Sequence, residues 1–475
     1  MSSRPLNPTR RRLLAGFAPA AALLVTSSSD AIGETGSQQK SLEEFGFKGD
    51  GVADDTAAIQ NAVDAGVGKI VFWGVTRLTR TVVIELDRVG YTSLLGEGTA
   101  RIRMEGPGPA FRFVGTHGGT ADPHSVKENV WERQRMPLID GLEIVGAHEQ
   151  ACGIEAVGTM AMILTRLHIR DCFHAVHLRT RNRNVIIDDC HFYHNRGIGV
   201  YYDQVDLHQS NIGNSHISYN AGGGIVSRGG NVRNIHIGNC DLEGNHPAVD
   251  SPSESATANV LIDCRASKYG TAEVAITGCT IQHTARSPDS ANIRIVGASV
   301  DSREGHVTIT GNVFSDVQTN VHLDSVRGAT ITGNTFWMGF AHNLLIEHCA
   351  ELAIGTNNFN RNPRYAHSKA NTATHDLVIR DSQDVTLTGL VISGVQQKSG
   401  ALQLTNCRRV SLTGCTITDN DGPGIAIRDC QSVIVGHCVI RDDRPQTQSP
   451  IAMVIEASQE IHVSDNLIRG TIQKR

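Results

Sequence analysis

Aromatic residues make up only 5% of this 475-residue chain, so its core cannot rest on large rings and must be narrow. Charge of one sign is also scarce. The net charge of −5 argues against a nucleic-acid binder and leaves no basic membrane patch. After residue 30 no apolar run is long enough to span a bilayer. No pair of Cys-x-x-Cys motifs is present, which argues against a structural zinc site. Neither a Gly-x-Ser-x-Gly elbow nor a His-Glu-x-x-His pair occurs, and no window carries a long helical period.

What is there is a repeat. Ile187-Asp-Asp-Cys190-His-Phe192 returns as Ile237-Gly-Asn-Cys240-Asp-Leu242, as Ile309-Thr-Gly-Asn312-Val-Phe314 and as Leu412-Thr-Gly-Cys415-Thr-Ile417. The fourth position gives a column from Leu142, Leu167, Cys190, Ser215, Cys240 and Cys279, through Asn312, Asn334, Asn357 and Leu390, to Cys415, Cys438 and Asn466. Its base step is 22 to 25 residues, with occasional longer gaps. Such a period marks a solenoid whose coils sometimes carry inserted loops.

Short alternating runs rich in Val, Ile and Thr, separated by Gly, Asn and Asp, predict three short strands per coil. A leucine-rich repeat would need Leu spacing and a helical turn that are not visible. The expected fold is therefore all-β, a right-handed parallel β-helix, with equivalent positions stacked about 4.8 Å apart. A second column supports this register: Cys349, Ser382, Cys407, Cys430 and Ser458 each follow a strand such as Leu402-Gln-Leu404. Most of the 11 cysteines fall in these two columns. They read as buried free thiols rather than as a disulfide framework.

Residues 1–31 read as an export signal. Arg10-Arg11-Arg12 precede an Ala-rich apolar run that ends near Val25, an order similar to the twin-arginine type. Residues 32–40 read as a linker and 41–475 as one β-helix domain. That domain would have an N-terminal cap at 41–75 and an inserted loop at 116–136. A periplasmic or extracellular location is expected, with no membrane insertion once the signal is removed.

In the cap, Asp54, Asp55 and Thr56 supply helix-start chemistry, and Ala58, Ile59, Ala62 and Val63 share one helical face. With Phe45-Gly46-Phe47-Lys48-Gly49-Asp50-Gly51 ahead of Asp54-Asp55-Thr56 and Ala58-Ile59-Gln60, the segment resembles the N-terminal cap of the pectate-lyase-like β-helix superfamily. The resemblance covers about 25 residues in the cap, and the repeats extend it. It implies the fold. It leaves the reaction open among pectin hydrolases, polysaccharide lyases, uronate epimerases and phage tailspikes.

A filled coil offers only its outside to a ligand. Strand alternation turns His177, Arg179, Tyr201, Asp203 and Arg228 outward on three successive coils. Arg179, Asp203 and Arg228 share one column. Arg181, Arg183, His194, His208, Gln209, Tyr219, Arg233, Glu243 and His246 lie around them. Tyr201, Asp203, Arg228, Arg179, His177 and His208 are the expected catalytic residues. Tyr202, Arg181 and Glu243 are expected to bind substrate, with Lys127, Trp131 and Arg133 reaching over from the inserted loop.

The arginines could neutralise a uronate carboxylate, and a tyrosine or histidine could move the C5 proton. That chemistry serves a polysaccharide lyase and an epimerase equally, with an acidic polysaccharide or oligosaccharide as partner. The alternatives are a glycoside hydrolase of the polygalacturonase-like type, using Asp203 with Glu243 or Asp250, and a non-catalytic carbohydrate-binding or structural β-helix. The set of Asn-x-Asp, Asp-Asp, Gly-His-Gly and Arg-x-Lys motifs that polygalacturonases carry on adjacent coils is not found. Asp188-Asp189, which imitates one of them, is read as a turn. Asp122-Pro123-His124 resembles a short motif of alginate epimerases but precedes the repeats, and is read as coincidence. A calcium ion on Asp203, Glu243 or Asp250 is possible chemistry. His168, His191, His216 and His236 read as one side-chain row.

Overall fold

A computed structural model describes residues 41–246, 257–283, 289–361 and 372–475. The expected signal and linker lie outside the described residues, as does Asp250. From residue 40 onward the chain forms one unit. Every strand pairing in it is parallel, each strand lying beside its counterpart in the next coil. This is the right-handed parallel β-helix. Among the described residues no helix is long and apolar enough to cross a membrane.

The coils near the candidate site differ from the expected three strands. Val176–Asp188 and Ile198–Gly213 are long strands, each paired along its length with the next. They bend without breaking the ladder because single residues take left-handed backbone: Thr180 and Asn184 in one, Gln204 and Gln209 in the other. A non-glycine residue there costs about 1 kcal/mol, and the stacked coils on either side hold it. A third corner stacks Asp189, Asn214 and Asn239, then Gly278, Gly311 and Gly333, all at positive φ. Asp189 is therefore a turn residue, as expected, whereas Asp188 is the last residue of its strand. Later coils do show three strands, as in Val317–Asp324, Val326–Thr332 and Thr335–Phe336.

The interior is one continuous stack. Ile169, Phe192, Ile217, Leu242, Ile281 and Phe314 occupy one inward column, and all are fully buried. Phe314, Phe336 and Phe359 stack with centroids 4.7 and 4.5 Å apart. The marker column lies beside this core. Asn312 Nδ2 donates to Asn334 Oδ1 at 3.0 Å, and Asn334 passes the same bond to Asn357 at 3.0 Å. All 11 cysteines are free and all but Cys152 are buried. Burial pushes the Cys349 thiol up to about 12.

A longer amide ladder runs along another corner. Asn195, Asn220, Asn245, Asn259, Asn292, Asn320 and Asn343 are all fully buried. Each of the first six donates its Nδ2 to the Oδ1 of the next, at 2.7 to 2.8 Å. The side chains thereby satisfy polar groups that would otherwise be orphaned inside the coil.

The cap follows from its carboxylates. Helix Thr56–Asp64 buries Ala58, Ile59, Ala62 and Val63 over the open first coil, the face expected from sequence. Asp54 accepts from the Thr56 amide at 3.1 Å. Asp55 instead turns back to accept from Lys48 and Gly49, at 2.8 and 3.2 Å. One acid therefore starts the helix and the other ties the glycine-rich loop to it.

The insert leaves the coil after Gly108–Val114 and carries a short turn at Pro123–Ser125 and a π-helical turn at Val130–Gln134. Asp122 accepts from the His124 amide at 2.9 Å and starts the first turn. Val126 and Val130 bury themselves on Met160 of the coil wall. Gln134 binds Thr116 and Asp87, and Asn129 also donates to Asp87.

Candidate functional site

Two outward columns meet on the strands that follow the amide ladder. In the first, Glu155, His177, Tyr201 and Val226 are register partners. In the second, Val157, Arg179, Asp203, Arg228 and Asp263 are. The alternation that turns His177 and Tyr201 out turns Leu178 and Tyr202 in. Tyr202 is fully buried, its hydroxyl 2.6 Å from Ser210 Oγ, and burial pushes its phenol up to about 12. The expectation that Tyr202 binds substrate is therefore corrected: it is a core residue, and the adjacent Tyr201 is the one that reaches the surface.

His177 sits between two carboxylates. Its Nε2 is 3.0 Å from Asp203 Oδ2, and its Nδ1 is 3.7 Å from Glu155 Oε2. An ionised Asp203 only accepts, so Nε2 carries the proton in this arrangement. Burial holds the His177 pKa below its usual value, against the pull of Asp203 and Glu155. Arg112 fixes Glu155 from the preceding coil at 2.6 Å. Arg179 stands 3.6 Å from Glu155 and 3.8 Å from Asp203, half exposed.

Tyr201 lies flat on His177, with centroids 5.1 Å apart and planes at 7°. His174 closes its other flank, centroids again 5.1 Å apart. The Ile198 amide donates to His174 Nδ1 at 3.0 Å, and burial drops that imidazole to about 4, so it is neutral. The Tyr201 phenol is raised, first by burial and then by Asp203, with Arg228 pulling the other way. Asp263 is clamped by Arg265 at 2.6 Å. Arg228 lies between Asp203 and Asp263 in the column and interacts with the Tyr201 hydroxyl; among the described residues no carboxylate comes within ion-pair distance of its guanidinium.

The other expected residues fall elsewhere. Arg181 and His208 lie beyond the left-handed corner at Thr180 and Gln204, on the next face of the coil. Glu243 belongs to the other sheet, where it accepts from the Tyr219 hydroxyl at 2.8 Å. Asp203 and Glu243 therefore do not form one site. Among the described residues no three His, Cys, Asp or Glu side chains converge as metal ligands, and Asp203 and Glu243 lie in different sheets. Trp131 is half-buried against the insert's own apolar cluster. Arg133 donates to the Arg88 carbonyl at 3.2 Å, and Lys127 is exposed. His168, His191 and His216 do form one column, but His236 is on a different strand.

Sequence reasoning missed Glu155, His174 and Arg112. Glu155 is in register with His177 but lies ahead of the three strands whose outward residues stood out. His174 sits just before its strand, and only its three-residue spacing from His177 signalled it. Further along the same columns, Arg294, His322, Glu347 and Arg380 form a comparable chain: Arg294 Nε to His322 at 3.0 Å, His322 to Glu347 at 2.8 Å and Arg380 Nε to Glu347 at 2.6 Å. Each of these four side chains has a partner in the chain, although Arg294 Nη1 is buried without one.

A search of curated proteins returns no match. Among solved structures, the A-module of Azotobacter vinelandii mannuronan C-5 epimerase AlgE6 is 12% identical, with a TM-score of 0.45 over 91% of this chain and 99% of that one. Gene product 12 of bacteriophage phi29 is 13% identical, TM-score 0.49, over 91% and 56%. The tailspike of E. coli bacteriophage HK620, solved with a pentasaccharide, is 13% identical, TM-score 0.46, over 87% and 77%. The model of the right handed beta helix region matches residues 130–266 and 321–473, more than half of the sequence. The chain belongs to the right-handed β-helix family.

Proposed function

We propose that this protein is a carbohydrate-active enzyme that removes the C5 proton of a uronate within an acidic polysaccharide, as a lyase or an epimerase. The observation that carries this reading is Arg228. It is a guanidinium with no carboxylate at ion-pair distance among the described residues, set against the half-buried Tyr201 and in the column next to a histidine held by a carboxylate.

A uronate carboxylate paired with Arg228 and the half-exposed Arg179 loses its negative charge, and its C5–H bond becomes more acidic. His177 is neutral and keeps its Nε2 proton on Asp203. Its Nδ1 lone pair is then the base that takes the C5 proton. Tyr201, with its raised pKa, is protonated and is the acid. If its proton goes to the glycosidic oxygen as the C4–O bond breaks, the outcome is β-elimination. If it goes back to C5 from the opposite face, the outcome is epimerisation. The same residues serve both, and the pose of the sugar decides.

A hydrolase is less well supported. It needs two carboxyl groups facing each other across the scissile bond, whereas the His177 ring occupies the space between Asp203 and Glu155.

The test is a panel of acidic and neutral polysaccharides, with and without calcium. The ultraviolet absorbance of unsaturated uronates, reducing ends and uronate configuration would be followed together. Absorbance with reducing ends supports the lyase, and inversion alone supports the epimerase. Reducing ends alone would overturn the proposal.

A further inference from the structure

Around the corner from Tyr201, four nitrogen-bearing side chains share an unbalanced environment under the insert. Arg183 and His208 are register partners, with Arg181 two residues before Arg183. His117 enters from the insert, its amide bonded to the Gly158 carbonyl at 3.0 Å. His117 is 3% exposed and Arg183 6%. Both ring nitrogens of His117, the Nε of Arg181, the Nε of Arg183 and Nδ1 of His208 are buried without a hydrogen-bond partner.

Carboxylates do not balance this charge. Asp206 and Glu273 are the acids nearby, and both are exposed. Neither comes within ion-pair distance of Arg181 or Arg183. The one bond from this group to the insert is Arg183 Nη1 to the Thr120 carbonyl, at 2.7 Å. Two guanidiniums of like charge, partly withdrawn from water and unmatched, oppose folding unless something supplies the missing negative charge. The insert is nevertheless pinned over them, through Gln134 to Asp87 and through Val126 and Val130 on Met160.

We propose that His117, Arg181, Arg183 and His208 form an oxyanion-binding subsite for a second acidic group of the polysaccharide, one sugar or more from the reacting uronate. A planar guanidinium fork suits a carboxylate or a sulfate, and the imidazoles add single donors. The subsite would select chains charged at successive residues over chains with isolated uronates. This rests on the proposed action on an acidic polysaccharide, but it concerns binding and is read without turnover.

The experiment is thermal unfolding of the whole protein in sodium sulfate and in sodium chloride at matched ionic strength. It is repeated with uronate oligomers and with neutral oligomers of equal length. Wild type and Arg181→Gln are compared. Wild type is expected to gain several degrees in sulfate and with at least one uronate oligomer, and none with neutral oligomers. Arg181→Gln is expected to unfold at or above the wild-type temperature without ligand, because an unmatched charge is gone, and to lose the ligand-induced gain.

A large drop in the unliganded Arg181→Gln protein would show a structural role and overturn the subsite. Equal gains in both proteins, or no gain in wild type, would overturn it as well. A gain with sulfate and with no uronate oligomer would overturn the saccharide assignment. If no turnover is found on any substrate but the ligand-induced gain is present and lost in Arg181→Gln, the subsite stands and the catalytic reading alone fails.

Discussion

The ring of Tyr201 lies parallel to that of His177, 5.1 Å away, one coil further along the same outward column. Stacking fixes the phenol beside the imidazole, so the hydroxyl can serve as acid only where the histidine can serve as base. Tyr201→Phe keeps the stack and removes the proton. Turnover is expected to fall by roughly 10²- to 10⁴-fold, the usual worth of one general acid or base. Thermal stability should change little. Steady-state rates and a melting curve on the same preparation check both halves.

Buried neutral histidines make stability fall between about pH 6.5 and 4. His375 is 1% exposed, and burial lowers its pKa from 6.5 to about 4. The unfolded chain therefore takes up the proton first. The contribution of this group is complete above about pH 6.5, falls as the pH drops towards 4 and levels off below. The loss from such a group is on the order of 3 kcal/mol at most. Urea midpoints measured from pH 7 to pH 4 should decline, and His375→Gln should flatten that slope.

Asn220 is a central rung of the buried amide ladder. Its Oδ1 accepts from Asn195, and its Nδ2 donates to Asn245 and to the Phe192 carbonyl. Asn220→Ala strands polar groups on both neighbouring coils. At about 1–3 kcal/mol for each unsatisfied group, a loss of roughly 3 kcal/mol or more is expected in urea unfolding. A loss under 1 kcal/mol would mean that the ladder contributes little.

Thiol accessibility separates the cysteine columns from a disulfide framework. In the native protein a thiol reagent should modify Cys152, the one cysteine that is not buried. The other ten should react only after unfolding. Counting labels by mass, with and without denaturant, checks this.

The repeat was legible because the marker column and its partner recur at fixed offsets next to Gly, Asn and Val or Ile. Cys190, Asn334 and Cys407 could be placed on their corners from spacing alone. The Asn195 ladder was not legible. Its rungs are 25, 25, 14, 33, 28 and 23 residues apart, because the ladder passes from residues that follow one set of strands (Asn195, Asn220, Asn245) to residues within the next set (Asn259, Asn292, Asn320, Asn343). The outward column of Arg179, Asp203 and Arg228 followed from alternation and is in register. The same alternation, applied strictly, would have placed Tyr202 inside. Glu155 escaped notice because its partners Arg112, His177 and Arg179 come from neighbouring coils, and spacing along the sequence does not show those contacts.

The central claim is proton removal from C5, and isotope exchange tests it most directly. Uronate polysaccharides would be incubated with the protein in deuterium oxide, and both products and recovered polymer analysed for deuterium at C5 and for unsaturated ends. Wild type is expected to yield unsaturated ends or C5-deuterated residues. Arg228→Gln and Tyr201→Phe are expected to yield neither above background. Chain cleavage with every C5 position still protiated, at the same rate in wild type and both variants, would contradict the account.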